Sequence, residues 1–222
     1  MYNEVVKEDI MNYKEIRLQA SEKCKMYSGI LALITLIYLA ITGVFSISGD
    51  FENPKLILMS SVLSAASLFI AGPMTYGFIN VIVINYKGER KPNVSDLFSG
   101  FKYFWKLFVL NLLITIYVAL WTLLFIIPGI IKGISYSRAF YIFYENPQLS
   151  AKECINKSKQ MMDGFKWNCF VLELSWIGWI ILVILTLGIL NLWVKPKIIT
   201  SDYILYNIVK DNNVKNEQFD EY

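Results

Sequence analysis

Residues 128–147 read P-G-I-I-K-G-I-S-Y-S-R-A-F-Y-I-F-Y-E-N-P, and residues 161–179 read M-M-D-G-F-K-W-N-C-F-V-L-E-L-S-W-I-G-W. These two runs decide the fold. From Leu107 to Tyr144 only Lys132 and Arg138 are charged, and one helix over that stretch would reach about 57 Å, about twice the thickness of a bilayer core. Pro128-Gly129 is the strong breaker within it, so the spacing predicts two spanning helices joined by a tight hairpin. Asn146-Pro147 stops the second of them. Ser150 and Glu153 then stand at capping-box spacing. Behind them Ala151, Cys154, Ile155, Ser158, Met161, Met162 and Phe165 fall on one helical face, with lysines elsewhere. That face predicts an amphipathic helix in the membrane interface. Residues 167–190 then read as another crossing.

The same grammar extends outward. Residues 4–27 carry Ile10, Tyr13, Ile16, Ala20, Cys24 and Tyr27 at steps of three or four, and predict a first interfacial helix. The uncharged run 28–47 is long enough to span. From Lys55 to Tyr86 the chain is apolar again, interrupted at Gly72-Pro73, where proline removes a backbone donor and favours a kink. The arm with Lys7, Lys14, Arg17, Lys23 and Lys25 and the patch with Lys87, Arg90, Lys91, Lys102 and Lys106 should share the cytoplasmic side. That requires an even number of crossings between them, and selects one long kinked helix. Residues 94–108, with Val94, Leu97, Phe98, Phe101, Phe104, Trp105 and Phe108 on a stripe, predict the second interfacial helix. Residues 191–196 turn the chain, and 197–209 form a shorter last pass. The expected architecture is therefore all-α and integral to the membrane. It has six transmembrane helices as three hairpins, each preceded by an amphipathic interfacial helix, with both termini cytoplasmic and residues 1–222 forming one membrane domain. Helix breaks are expected at Pro73, Pro128, Gly129 and Pro196. The hairpins suggest internal repeats over 4–86, 94–145 and 149–210; G-F-K recurs at Gly100 and Gly164, each closing an amphipathic run.

Composition agrees with a membrane protein: 55% of residues are hydrophobic and 18% charged, too apolar a balance for an ordinary soluble domain. The lysines and arginines flank apolar segments and do not gather into a nucleic-acid footprint. Histidine is absent, which removes the commonest general base and metal ligand. Cys24, Cys154 and Cys169 lack metal-ligand spacing and read as packing residues. No cofactor is implied. No H-E-x-x-H, G-x-S-x-G or Walker sequence occurs, so enzyme chemistry is not expected.

At I-P-G-I-I-K-G-I-S-Y-S, E-N-P-Q-L-S-A, S-K-Q-M-M-D-G-F-K-W and F-V-L-E-L-S-W-I-G-W the chain resembles a family of bacterial membrane proteins, the domain of unknown function nine-seventy-five. The resemblance covers nearly the whole chain. It implies a multi-pass protein of the cytoplasmic membrane, mostly of Gram-positive bacteria, and brings no agreed activity, substrate or catalytic residue. Arg138 stands where the resemblance leads one to expect an apolar residue. Lys195-Pro196-Lys197 replaces a more apolar proline turn.

Two functions follow as expectations. One is a non-enzymatic membrane protein that binds or excludes a lipid-like or peptide-like ligand, as in self-protection against an antimicrobial peptide or assistance to an exporter. Its partners would be the lipid bilayer and a peptide or another membrane protein. The other is a small-solute transporter with a polar intramembrane site near the cytoplasmic side. Arg138, Glu173 and Asp202 lie within apolar segments at one expected depth, about 10 Å below that face, and lone charges there invite pairing. They are expected to form a cluster in which Arg138 bridges Glu173, with Asp202 as second partner or alternative. A structural ion pair and a ligand site are both open readings of it.

Overall fold

The computed structural model describes residues 12–44 and 54–220. The first turns of the helix expected over 4–27, with Ile10, and the end of the run 28–47 lie outside the described residues. Every regular element among those described is helical. In chain order they are α1 (Tyr13–Lys25), α2 (Ser28–Val44), α3 (Pro54–Lys87), α4 (Val94–Leu97), a 3-10 turn (Ser99–Tyr103), α5 (Phe104–Leu124), α6 (Ile126–Tyr136), α7 (Ala139–Glu145), α8 (Ala151–Met161), α9 (Lys166–Leu174), α10 (Ile177–Leu185) and α11 (Asn191–Asp220). Capping fixes several starts. The Asn12 side chain accepts from the Glu15 N–H. Ser150 and Glu153 form a reciprocal capping box at α8, the Ser150 N–H donating to Glu153 at 2.7 Å.

Among the described residues three helical stretches are long and apolar enough to cross a membrane: Ser60–Lys87, Val94–Leu124 and Lys166–Leu185. The pair Tyr13–Lys25 and Ser28–Gly43, bent by 96°, makes a fourth if counted as one span. The molecule is thus a helical protein of membrane composition, but among the described residues the candidate spans number three or four, not the expected six. The shortfall has a physical reason. One return leg is broken between α6 and α7 at Ser137 and Arg138. The other, α11, carries Lys195, Lys197 and Asp202 in its first half.

The core gathers at one end of the long helices. On α3 the chain is buried almost continuously from Gly72 to Asn85, whereas the described side chains before it are exposed or half-buried. Three apolar clusters fill that end: Tyr76, Leu107, Phe143 and Tyr206 among α3, α5, α7 and α11; Ile16, Met162, Leu172 and Leu205 among α1, α9 and α11; Leu31, Met74, Phe78 and Leu97 among α2, α3 and α4. Beyond the core the apolar side chains turn outward. None of α10 is buried, and Leu120, Leu123, Phe125, Ile127 and Ile131 are exposed around the α5–α6 tip. An apolar surface this extensive has no place in water and is the face a bilayer would cover.

The amphipathic helices face differently from the expectation. Ile16, Ala20 and Cys24 of α1, and Ala151, Cys154, Ile155 and Ser158 of α8, are buried against neighbouring helices, and Met162 is fully enclosed. These stripes are protein core, not lipid contacts. The middle one is not a continuous helix: α4 and the 3-10 turn lead directly into α5, leaving Phe98, Phe101 and Trp105 exposed.

The one long helix expected across Pro73 forms as α3, but the breaks expected at the prolines themselves are corrected. Pro73 lies within the continuous α3 and Pro196 within the continuous α11. Each forfeits one helical hydrogen bond in a helix whose tertiary packing outweighs that loss. Pro128 and Gly129 lie in the first turn of α6, where a missing N–H costs little. The break itself is at Phe125, whose backbone is extended (φ −157°, ψ 141°). Gly129 lets α6 cross α5 at Thr122, with which any Cβ would collide. Gly72, Gly77 and Gly100 do the same for α3: a Cβ on them would meet the backbones of Leu107, Leu97 and Pro73, respectively. The two G-F-K glycines therefore differ in purpose. Gly100 permits this close approach, whereas Gly164 adopts φ +78°, the left-handed region glycine enters without strain.

Candidate functional site

The break between α6 and α7 builds the polar centre. Arg138 is the N-cap residue of α7. Its backbone N–H, freed by the break, donates to Ser158 Oγ of α8 at 3.2 Å. Ser158 Oγ in turn donates to the Ser135 carbonyl at 2.8 Å. The side chain is 1% exposed, the largest of the fully buried ones. Nη1 donates to the Asp202 carbonyl at 3.2 Å. Nη2 lies 2.9 Å from Cys169 Sγ and 3.5 Å from Asp202 Oδ1. Nε is buried without a hydrogen-bond partner. The guanidinium also faces the ring of Tyr141 at 5.9 Å.

The three residues singled out by sequence do not form one triad. Arg138 and Asp202 are an ion pair, a loose one at 3.5 Å against about 2.7–2.9 Å for a tight charge-assisted bond. The expected Arg138–Glu173 bridge is absent at the 4.0 Å limit for an ion pair. Glu173 is reached through Cys169, whose thiol donates to Glu173 Oε1 at 3.7 Å, and its residue is exposed. The reason is axial: Glu173 is one turn further along α9 than Cys169, which takes the position beside Arg138. Cys169 was legible as i−4 to Glu173 on one helix face. Ser158 was legible only as a stripe position, with nothing to mark it as the partner of a broken backbone. Chemically, the centre clamps α6–α7, α8, α9 and α11 around a permanent positive charge. Among the described residues no three of His, Cys, Asp and Glu are placed to share a metal ion.

Next to Arg138 the tyrosines of the return legs stack. Tyr141 faces Tyr203 and Tyr206 at ring-centroid distances of 5.9 and 5.4 Å. Tyr206 donates to Glu145 Oε2 at 2.8 Å, and Lys210 meets the same oxygen at 2.7 Å. Tyr141, Tyr203 and Tyr206 are all buried.

One open feature is a groove of about 460 Å³ between α6 and α9. Ile127, Ile130, Ile131 and Ile134 form one wall, Trp167 and Phe170 the other. Lys166 stands at its edge, 3.1 Å from Asp163. Trp167 is 71% exposed, so the wall is presented outward.

A family model described as "Protein of unknown function (DUF975)" matches residues 11–134 and 123–213. No curated protein and no solved structure matches the chain.

Proposed function

We propose, from the premise that the chain belongs to this family of proteins of unknown function, that it is a non-enzymatic, multi-pass protein of the cytoplasmic membrane that holds a lipid-like ligand. The α6–α9 groove carries this reading. Its volume lies in the range of small-molecule sites, its walls are isoleucine and aromatic rings, and its one ammonium is at the edge. An acyl chain matches such walls, with the anionic or polar end of the molecule beside Lys166. An amphipathic peptide inserting the same kind of surface would compete for the groove. Such competition is how a protein of this kind would protect its membrane or assist an exporter. On the four-span count, which returns the chain to the side it started from, both termini are assigned to the cytoplasmic side, on the support of the lysines and arginines that flank the first and middle apolar segments.

Photoactivatable fatty-acyl phosphatidylcholine supplied to membranes containing the full chain tests this. Crosslinks should concentrate on residues 127–134 and 167–170, and Ile131→Trp, which fills the groove, should reduce them. Labelling spread evenly over the apolar surface would refute the groove.

One observation favours a second reading, a transporter: Arg138 Nε is buried and unpartnered while Glu173 is outside the ion pair. A solute whose uptake is lost in Glu173→Gln, with the fold intact, would select that reading over the first.

A further inference from the structure

A second cavity, of about 210 Å³, lies between α1, the α9–α10 junction and α11. It shares no residue with the α6–α9 groove. One face of α1 supplies Lys14, Arg17, Leu18 and Ser21, at the i, i+3, i+4 and i+7 positions that align along a helix. This face is adjacent to the Ile16–Ala20–Cys24 stripe that docks α1 onto the protein, so docking itself sets it opposite α10 and α11. From there come Trp176, Trp179 and Lys197.

Three cations thus converge on one small cavity, and no carboxylate lines it. Among the described residues, none of Lys14, Arg17 and Lys197 makes an ion pair. Two acids of the flanking helices are engaged elsewhere. Asp202 holds Arg138, and Glu173 accepts from Cys169. The cations are positioned by the tryptophans: Arg17 Cζ lies 5.8 Å from the Trp176 ring, and Lys197 Nζ lies 5.7 Å from that of Trp179. Arg17 is further fixed by a hydrogen bond from Nη1 to the Ser175 carbonyl, and Trp176 by one from Nε1 to Ser201 Oγ at 3.1 Å. The Nε of Arg17 is buried with no partner, a donor with its desolvation cost uncompensated.

Like charges held together repel, and folding alone would not favour this arrangement. A bound anion reverses the balance. The cavity is the size of a headgroup fragment, not of a whole lipid, and the apolar side chains Ile177, Ile180, Ile181 and Ile184 are exposed just beyond it on α10. Tryptophan walls, clustered Lys and Arg and an adjoining apolar flank are the chemistry of a headgroup at a membrane interface. We propose that this cavity is a binding site for the phosphodiester of an anionic phospholipid, with Arg17, Lys14 and Lys197 on the phosphate and the acyl chains along α10.

The test uses the full chain in dodecyl maltoside, reading tryptophan emission while phosphatidylglycerol is titrated in as mixed micelles. Emission should change saturably. Phosphatidylcholine of the same acyl chains should leave it unchanged, because its trimethylammonium group meets three like charges. The Lys14→Gln/Lys197→Gln double variant, whose substituted side chains make no ion pair, should melt as the parent does and bind phosphatidylglycerol at least about tenfold more weakly. Lys197→Arg should retain affinity. Equal responses to the two lipids, undiminished binding by the double variant, or saturation by inorganic phosphate at the same concentration as by the lipid would each overturn the assignment. Loss of acyl crosslinking at residues 127–134 would leave this result untouched, so the two sites can fail separately.

Discussion

Arg138 and Ser158 meet backbone to side chain, the Arg138 N–H donating to Ser158 Oγ at 3.2 Å. Through the same hydroxyl Ser158 also reaches the Ser135 carbonyl at 2.8 Å, so one small side chain closes the polar gap where α6 gives way to α7. Ser158→Ala should therefore leave a buried donor unpaired and lower stability by about 1–3 kcal/mol. Reversible unfolding in detergent measures this, and an unchanged midpoint would mean that the break is satisfied some other way.

The charge beneath that break leads to a second expectation. Asp202→Asn strands Arg138 in a buried setting and should cost about 3–5 kcal/mol. The Arg138→Met/Asp202→Leu pair removes both charges and should cost less than the single change. Glu173→Gln, at an exposed position joined to Arg138 only through Cys169, should change stability least of all. A double-mutant cycle checks the order, and Glu173→Gln falling with Asp202→Asn would place both carboxylates on the arginine.

Glycine supplies the third. Gly77→Ala drives a methyl into the Leu97 backbone, which cannot rotate away as a side chain can. A loss of about 3 kcal/mol, the upper end for overpacking, is expected. Gly133 has nothing within 4 Å of an added Cβ. Gly133→Ala should be neutral or stabilising by up to about 1 kcal/mol. Equal melting temperatures for the two variants would contradict close packing of α3 on α4.

The fourth concerns acid. The Ser150 N–H and hydroxyl both donate to Glu153 and hold its carboxyl below the usual carboxylate range. A carboxyl with a lower pKa folded than unfolded binds its proton more readily when unfolded. Its contribution is thus present above the unfolded value of about 4.3 and disappears as pH falls through the folded value. Glu153→Gln can still cap but does not titrate. Between about pH 6 and about pH 3 the parent should lose more melting temperature than this variant. Parallel losses would show that the capping box contributes nothing to the acid response.

The elements were more legible than their surroundings. Ser150 and Glu153 mark the start of α8, and the charges among apolar runs mark helical membrane composition. The orientation of the amphipathic stripes was not legible, because lipid tails and a protein interior are equally apolar to Ile16 or Met162. Local periodicity cannot tell which will cover them. Pro196 misled for a related reason: a proline's local cost is readable, but the packing that overrides it is tertiary. At the polar centre, charge in an apolar segment identified Arg138 and Asp202. The partners that complete the centre, Cys169 and Ser158, carry no charge to betray them.

The seating of α1 has a consequence in time. Cys24 Sγ lies 3.4 Å from Thr200 Oγ1, and Tyr13 accepts from Asn168 at 3.0 Å, so the first described helix is anchored on the last two legs. A ribosome adding about 5–20 residues per second needs on the order of ten seconds or more to travel from one partner to the other. Through that interval the nascent chain carries α1 undocked, with its inward stripe uncovered. The insertion machinery or the membrane surface must shelter it until α11 emerges. A message truncated before Thr200 would therefore release a product whose two ends never meet, recognisable to quality-control proteases by the part made first.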